Sequence, residues 1–297
     1  MTAAFVVLDW GTTSLRASLA DRAGRALETR SAPDGILAIA GGDFDGAMER
    51  LIAGWDRSLP VVASGMITSK QGWIEVPYVE CPAGTVELAA AARRHLSAEG
   101  RSMMFIGGAR CRAATGMPDV MRGEETQVLG CPGGASSFVA PGTHSKWISM
   151  ADGRIGSFAT YMTGEVYALL RNHSILARLM TEESDSDEAF SAGVRAALAD
   201  PAGLLHRIFA ARTLALFNEM PVAALASFLS GQIIGTEIAH AARSIPASAT
   251  HIVLASDALV GKYIRAMELA GLRAEPGPAD AAVRGQASIM EAAGLLR

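Results

Sequence analysis

The sequence predicts an α/β protein of two similar domains, and three observations support that prediction. The chain has 297 residues, of which 50% are hydrophobic and 19% charged, which is enough to bury two cores. An apolar strand that runs into a polar, glycine-containing turn occurs at residues 5–16 and again at residues 136–161. Short apolar runs alternate with helical patterns around both stretches. We therefore expect one domain at residues 1–130 and a second at residues 131–297.

The first polar turn follows an apolar strand at residues 5–8. Its hydroxyls and main-chain amides suit phosphate oxygens, and its carboxylate suits Mg²⁺, directly or through water. Glycine at the turn lets the backbone approach a phosphate without an intervening Cβ atom. An ordinary polar hairpin turn explains this stretch equally well when it is taken alone. We call residues 11–14 the first tip, and the candidate nucleotide ligands here are Asp9, Gly11, Thr12, Thr13, Ser14 and Arg16.

The second polar turn repeats this arrangement about half a chain later. A strand at residues 136–140 leads into a turn, a second strand resumes at Trp147, and a third covers residues 155–161. Two such units predict duplicated βββαβα halves around a central nucleotide cleft, with a phosphate-binding turn from each half. We call residues 142–145 the second tip, and its candidate phosphate ligands are Gly142, Thr143, His144 and Ser145.

An arginine and two adjacent acids lie where a loop enters a predicted helix at residues 122–129. A carboxylate of Glu124 or Glu125 can act as general base toward a substrate hydroxyl, and Arg122 can bind an anionic group. Acids in a first helical turn also complement the helix dipole, which is the commoner reason for such a pair.

A loop without clear periodicity occupies residues 65–78, after a short buried strand. Glycines, hydroxyls and aromatic side chains in such a loop could bind a small polar ligand. A surface loop anchored by two aromatic residues is the alternative. The candidate substrate-binding residues are Ser69, Gly72, Trp73 and Tyr78. A helix is predicted after this loop, at residues 86–96.

The C-terminal half is predicted to be mostly helical, with its longest helix at residues 222–243. Small residues around Gly231 would permit close approach of a neighbouring helix or of an adenine ring. Ala255 and Ser256 follow a buried strand, where an adenosine could lie, although tight strand-to-helix packing explains them as well. The abundant alanines suit either a monomer core or a homodimer face.

Charge and cysteine content exclude several classes of protein. The net charge is −4, with no block of basic residues, so neither nucleic acid nor an anionic membrane is an expected partner. No apolar run approaches membrane-spanning length. Cys81, Cys111 and Cys131 are isolated in the sequence, which argues against a disulfide framework or a zinc site and fits a reducing cytoplasm.

Several strings together resemble a known family from end to end. The duplicated layout is similar to the actin/hexokinase/Hsp70 ATPase superfamily, whose fold is ribonuclease H-like. Within it, the sequence resembles the 2-dehydro-3-deoxygalactonokinase family, chiefly through RGEETQ at 122–127 and GTHSKW at 142–147. The further strings are DWGTT at 9–13, MTGE at 162–165, NHSIL at 172–176 and FLSG at 228–231.

The resemblance implies ATP-dependent phosphorylation of the 6-hydroxyl of 2-dehydro-3-deoxy-D-galactonate in cytoplasmic sugar-acid catabolism, with ATP and Mg²⁺ as cofactors. It implies that Asp9 holds Mg²⁺ through water and that Glu124, or else Glu125, is the base. Lys146, or Arg16, would neutralise charge on the transferred phosphoryl group. The implied substrate ligands are Arg122, on the carboxylate, with Thr163, Glu165 and the 69–78 loop.

Two features depart from the related kinases. Many sugar kinases of the superfamily have Asp where this chain has Glu124 and Glu125. A glycine-rich adenosine turn is replaced by Ala255 and Ser256. A kinase for another sugar or sugar acid, a non-catalytic actin-like ATPase and a phosphatase of the same fold are the alternatives. No residue identifies the substrate epimer.

Overall fold

The structure is a computed structural model that describes residues 2–113, 116–181, 184–245 and 249–296. The chain divides into two compact units. The first comprises Met1–Ala135, Ile148–Ala159 and Pro278–Arg297, and the second comprises Ser136–Trp147 and Thr160–Gly277. The predicted division at residues 130 and 131 differs from this one, because the chain returns to the first unit for its last helix.

Among the described residues the strands alternate with helices along most of the chain. The strands are β1 (Ala3–Trp10), β2 (Leu15–Asp21), β3 (Ala26–Ala32), β4 (Val61–Ser64), β5 (Val79–Glu80), β6 (Arg93–Leu96), β7 (Ser102–Phe105), β8 (Ala109–Arg112), β9 (Pro118–Met121), β10 (Ser137–Ala140), β11 (Ser145–Ala151), β12 (Arg154–Tyr161), β13 (Thr250–Val253) and β14 (Arg273–Pro276). The helices are α1 (Phe44–Leu51), α2 (Thr85–Ala91), α3 (Glu124–Leu129), α4 (Thr163–His173), α5 (Asp187–Ala199), α6 (Leu204–Arg207), α7 (Ala210–Leu216), α8 (Leu225–Ala241), α9 (Asp257–Leu269) and α10 (Ala281–Ala292).

The first five strands of the six-stranded sheet have the same order as the strands of the five-stranded sheet, which confirms the predicted duplication of the βββ-led architecture. The first sheet has the order β3-β2-β1-β4-β7-β6, and the second has the order β12-β11-β10-β13-β14. In the first, β1 pairs parallel with β4 and β4 with β7. In the second, β10 pairs parallel with β13 and β13 with β14. A separate small sheet, β5-β8-β9, was not predicted.

The first sheet is covered on both faces, because alternate side chains of β1 enter two different cores. Val6 and Leu8 pack in one cluster that includes α1 residues. Phe5 and Val7 pack in the other cluster, together with Ile289 of α10. The last helix therefore completes the core of the first unit.

Helix α10 also packs closely on α3, which carries the predicted acid pair. A Cβ atom on Gly130 would lie 1.8 Å from the carbonyl oxygen of Ala281, and one on Gly285 would lie 1.8 Å from that of Thr126. Both positions therefore require glycine, and the approach of the two helices is fixed by their backbones.

The predicted helix at residues 86–96 is wrong in its second half. Helix α2 ends at Ala91, and Arg93–Leu96 forms the edge strand β6, antiparallel to β7. The side chains of this segment favour no strand by themselves, so pairing with β7 decides its conformation.

The expectation that no apolar segment reaches membrane-spanning length also needs correction. Val222–Ser244, which contains α8, is a helical segment of 23 residues with a mean hydropathy of 1.4. The structure buries 78% of its most apolar window inside the protein, which is the pattern of a core helix.

Candidate active site

The first tip is anchored at the end of β1. The amide of Gly11 donates to the Ser14 carbonyl at 2.9 Å and closes the turn, and the Ile36 amide donates to the Gly11 carbonyl at 3.0 Å. The indole Nε1 of Trp10 donates to the Asp34 carbonyl at 2.7 Å. Thr12, Thr13 and Ser14 are exposed on this anchored turn.

Asp9 lies between two polar neighbours in the first sheet. Strand register places it opposite Arg16 of β2 and opposite Ser64 of β4. Burial raises the pKa of Asp9, the nearby Arg16 charge lowers it, and the Glu124 charge raises it again. Asp9, Arg16 and Glu124 therefore interact electrostatically within the first unit.

The two candidate bases lie in different environments at the start of α3. Glu125 is fully buried and both its oxygens accept from the Gly123 amide, at 2.9 and 2.7 Å. Burial, and then the Glu124 charge, raises the pKa of Glu125 to about 8. Glu124 is half-buried, and its Oε2 accepts from the Arg122 amide at 3.0 Å. Of the two, Glu124 is the one that a substrate can reach.

Arg122 braces the loop that follows β4. Its Nη1 donates to the carbonyl oxygen of Thr68 at 2.7 Å and to its Oγ1 at 2.5 Å, and Nη2 donates to the Val76 carbonyl at 3.1 Å. The guanidinium carbon lies 4.2 Å from the centroid of the Tyr78 ring. The predicted role of Arg122 as ligand of a substrate carboxylate conflicts with this arrangement, because most of its donors bind the protein itself.

The loop residues predicted to bind substrate divide into two groups. Trp73 stacks on Phe44 and meets Phe105 edge-on, with ring centroids 6.3 and 5.4 Å away, so its assignment to substrate is corrected to core packing. A Cβ atom at Gly72 would lie 2.1 Å from the Ile67 carbonyl oxygen, so glycine there is a steric requirement of the fold. Ser69 and Tyr78 retain accessible surface.

The second tip combines exposed and buried side chains. Thr143 and His144 are exposed, whereas Ser145 is fully buried, with its Oγ 2.7 Å from the Tyr263 hydroxyl. Ser145 is therefore not accessible to a ligand, which corrects its predicted role as a phosphate ligand. Lys146 is 4% exposed, and its Nζ donates to the His144 carbonyl at 3.1 Å, which places its charge beneath the tip.

Helix α4 begins against the second tip. The amide of Glu165 donates to the Thr143 carbonyl at 3.0 Å, and Oε2 of Glu165 lies 2.5 Å from Nε2 of His144. The hydroxyl of Thr163 is buried and donates to Glu237. Glu165, predicted as a substrate ligand, thus contacts the second tip. Thr163, also predicted as a substrate ligand, instead contacts Glu237.

The residues predicted to bind adenosine also fall into two groups. Gly231 is buried where α5 and α8 meet, and a Cβ atom there would lie 2.0 Å from the Phe190 carbonyl oxygen. Helix packing, and not an adenine ring, therefore accounts for Gly231. Ala255 and Ser256 lie between β13 and α9, with Ser256 exposed at the helix start.

One polar residue central to this arrangement was missed. Glu237 is 3% exposed on α8, among predominantly apolar neighbours, and it accepts hydrogen bonds from side chains around the second tip. A single acid in a long apolar helix is the signal in the sequence that could have revealed it.

A comparison with protein families identifies the chain. The family model described as 2-keto-3-deoxy-galactonokinase matches residues 9–289. The chain belongs to this family. The predicted family is therefore confirmed, and the match includes both tips and the acid pair.

Individual relatives agree with the family match. This family member is 32% identical over 274 residues to the 2-dehydro-3-deoxygalactonokinase of Escherichia coli K12, with 91% of each chain covered. It is also 32% identical to a solved structure of a candidate 2-dehydro-3-deoxygalactonokinase from Sinorhizobium meliloti, with a TM-score of 0.87 and 97% and 98% of the two chains covered.

A more distant structure bears on the fold alone. The activator of 2-hydroxyisocaproyl-CoA dehydratase from Clostridium difficile, solved with bound ADPNP, is 9% identical at a TM-score of 0.53, with 97% and 95% coverage. The predicted actin-like α/β fold is confirmed.

Proposed function

We propose that the protein transfers the γ-phosphoryl group of MgATP to the 6-hydroxyl of 2-dehydro-3-deoxy-D-galactonate. The observation that carries this proposal is the 32% identity to the Escherichia coli 2-dehydro-3-deoxygalactonokinase over 91% of both chains. The electrostatic interaction of Asp9 with Glu124 supports the proposal, because it indicates a half-buried carboxylate near the end of β1 where phosphate binding is proposed.

Both tips are proposed to bind the phosphates of ATP. Neither tip glycine is needed by the fold: a Cβ atom on Gly11 would meet only the Ser14 carbonyl oxygen, at 3.7 Å, and one on Gly142 would meet nothing within 4 Å. Close approach of a ligand is a reason for glycine at such open positions. Arg16 and Lys146 supply positive charge for the transferred group.

The residues around Asp9 fit a magnesium ion. Among the described residues no group of three or more His, Cys, Asp or Glu side chains could hold a metal ion by itself. Mg²⁺ bound with nucleotide needs only one or two carboxylates, since water and phosphate oxygens complete its shell. Asp9 would hold it through water, and the ion would supply neutralising charge on the phosphates.

Glu124 is proposed to accept the proton of the attacking 6-hydroxyl. Glu125 is unsuited, because its carboxylate is buried and bonded to the Gly123 amide. Phosphoryl transfer of this kind passes through a loose transition state, so positioning of the hydroxyl contributes more than its deprotonation. Arg122 would contribute indirectly, by holding Tyr78 and the 69–78 loop for the sugar acid.

A cytoplasmic location is part of this proposal. All three cysteines, Cys81, Cys111 and Cys131, are free thiols, which supports a reducing compartment.

A coupled ADP-release assay with MgATP tests the function. The acceptors are 2-dehydro-3-deoxy-galactonate, its gluconate epimer, the parent aldonates and glucose. We expect turnover with the galactonate-derived acid above all others. Turnover confined to another acceptor would reassign the substrate, and ATP binding without turnover on any acceptor would indicate a non-catalytic ATPase. Phosphate release without acceptor would indicate a phosphatase.

A further inference from the structure

Three side-chain donors converge on one buried carboxylate in the second unit. The indole Nε1 of Trp147 donates to Oε1 of Glu237 at 2.7 Å. The Tyr263 hydroxyl donates to Oε2 at 2.7 Å, and the Thr163 hydroxyl donates to the same oxygen. Glu237 thus connects α8 with β11, α4 and α9.

Each of these donors lies at or next to the second tip. Tyr263 continues the network to Oγ of Ser145, the last residue of the tip, at 2.7 Å. Trp147 follows two residues later on β11, so its indole fixes the strand that leaves the tip. Thr163 begins α4, whose next two residues contact the carbonyls of Gly142 and Thr143. Glu237 is therefore hydrogen-bonded, directly or through Tyr263, to residues of β11 and of the start of α4.

The chemistry of a carboxylate orders the network. An ionised carboxylate only accepts hydrogen bonds, and an indole N–H only donates. When Glu237 is ionised, Thr163 and Tyr263 donate to it, which leaves the Tyr263 oxygen to accept from Ser145. The proton of Ser145 then points away from any phosphate, so a phosphate at the tip is met by Thr143, His144 and backbone amides.

Packing alone does not explain an acid at this position. Burying a carboxylate costs several kcal/mol unless hydrogen bonds compensate, and a well-packed apolar side chain is often as stable or more so. Burial raises the pKa of Glu237, and the hydrogen bonds from Thr163, Tyr263 and Trp147 offset only part of that rise. A role beyond core filling is therefore expected.

We propose that Glu237 is a positioning residue for nucleotide phosphate binding, acting through Ser145, Trp147 and Thr163 on the second tip. This inference depends on the proposed use of the second tip for ATP. It does not depend on which sugar acid is the acceptor.

The test compares three variants with the wild type. Glu237→Gln keeps the size of the side chain but replaces one of its two acceptor oxygens by an NH2 donor, which faces either Trp147 or the pair Thr163 and Tyr263. Tyr263→Phe removes the hydroxyl that bonds both Ser145 and Glu237, and it leaves the hydrogen bonds of Trp147 and Thr163 to Glu237 in place. Gln232→Met is the matched control, because Gln232 is equally buried on α8 and its amide has no hydrogen-bond partner among the described residues.

Calorimetric titration with MgATP, steady-state KM values and the unliganded Tm are measured for each. We expect Glu237→Gln to weaken MgATP binding by about tenfold, and Tyr263→Phe to weaken it by a smaller factor, while the KM for sugar acid stays within about twofold. Gln232→Met should keep or raise Tm, because it removes a buried amide without hydrogen-bond partners among the described residues, and it should leave MgATP binding unchanged.

Wild-type MgATP affinity in Glu237→Gln, or equal losses for nucleotide and sugar acid, would overturn the inference. If Glu237→Gln does not fold, Tyr263→Phe decides, and wild-type MgATP affinity in that variant overturns it. Failure of the wild type on every acceptor would count against the proposed function instead, because the calorimetric titration needs no acceptor.

Discussion

Gly164 lies so close to Gly142 that a Cβ atom on the helix residue would be 2.4 Å from the carbonyl oxygen of the tip residue. No real Cβ atom tolerates that contact, so one of the two segments must move when the glycine is replaced. The start of α4 and the second tip therefore form one closely packed element within the second unit.

Gly164→Ala should displace α4 from the second tip. We expect a loss of about 1–3 kcal/mol in the free energy of unfolding, from overpacking, and a raised KM for ATP. Urea unfolding and initial-rate kinetics measure the two effects. Gly261→Ala on α9 is the matched control, since nothing lies within 4 Å of its Cβ position. That change should stabilise the helix by up to about 1 kcal/mol. Equal behaviour of the two variants would contradict the packing argument.

Gly142→Ala should leave the fold intact and weaken ATP binding. Its Cβ atom would meet no protein atom within 4 Å, so any effect comes from the space that the phosphates occupy. We expect Tm to stay near the wild-type value and the KM for ATP to rise by about tenfold, or ~1.4 kcal/mol. Gly133→Ala, at an equally open loop position, serves as control. An unchanged KM for ATP in Gly142→Ala would remove the second tip from the phosphate site.

Glu124→Gln should reduce kcat far more than it changes the KM for ATP. A general base contributes about 100-fold at the lower end of the usual range, and a loose phosphoryl transfer places Glu124 near that end. Steady-state kinetics with saturating sugar acid measure the effect, and Glu125→Gln provides the comparison. Near-wild-type kcat in Glu124→Gln would show that another group takes the proton.

Glu125→Gln should flatten the pH dependence of stability. Burial raises the pKa of Glu125 from 4.5 to about 8, so between these values the folded protein holds a proton that the unfolded chain has lost. The stabilisation from this carboxyl is complete below the unfolded pKa and is lost as pH rises toward the folded one.

Because glutamine stays neutral, the Tm of Glu125→Gln should fall less between about pH 5 and pH 8 than that of the wild type. Thermal unfolding in matched buffers gives the comparison. Parallel Tm curves for the two proteins would mean that Glu125 titrates normally.

Local chemistry made the tips and the fold predictable. The polar turns around Gly11 and Gly142 are contiguous in sequence, and strands on both sides of each turn are short, apolar and regularly spaced. The duplicated βββ-led layout followed from these repeats, and the place of Glu124 at a helix start followed from the local pattern at residues 122–129.

Tertiary partners explain what the sequence could not indicate. Aromatic and glycine residues serve packing and binding sites alike, so Trp73 and Gly231 could be separated from ligand contacts only once Phe105 and Phe190 were seen beside them. The brace formed by Arg122 with Thr68 joins positions 54 residues apart. No local pattern encodes such a contact.

The return of the chain to its first unit has a consequence for biosynthesis. Residues of α10 such as Ile289 and Met290 fill the core against one face of β1, the strand that contains Asp9. During translation these residues leave the ribosome after the whole second unit. The sheet that carries the first tip is thus made early but lacks part of its core until α10 has been synthesised. A nascent chain halted before Pro278 should expose Phe5 and Val7 to chaperones.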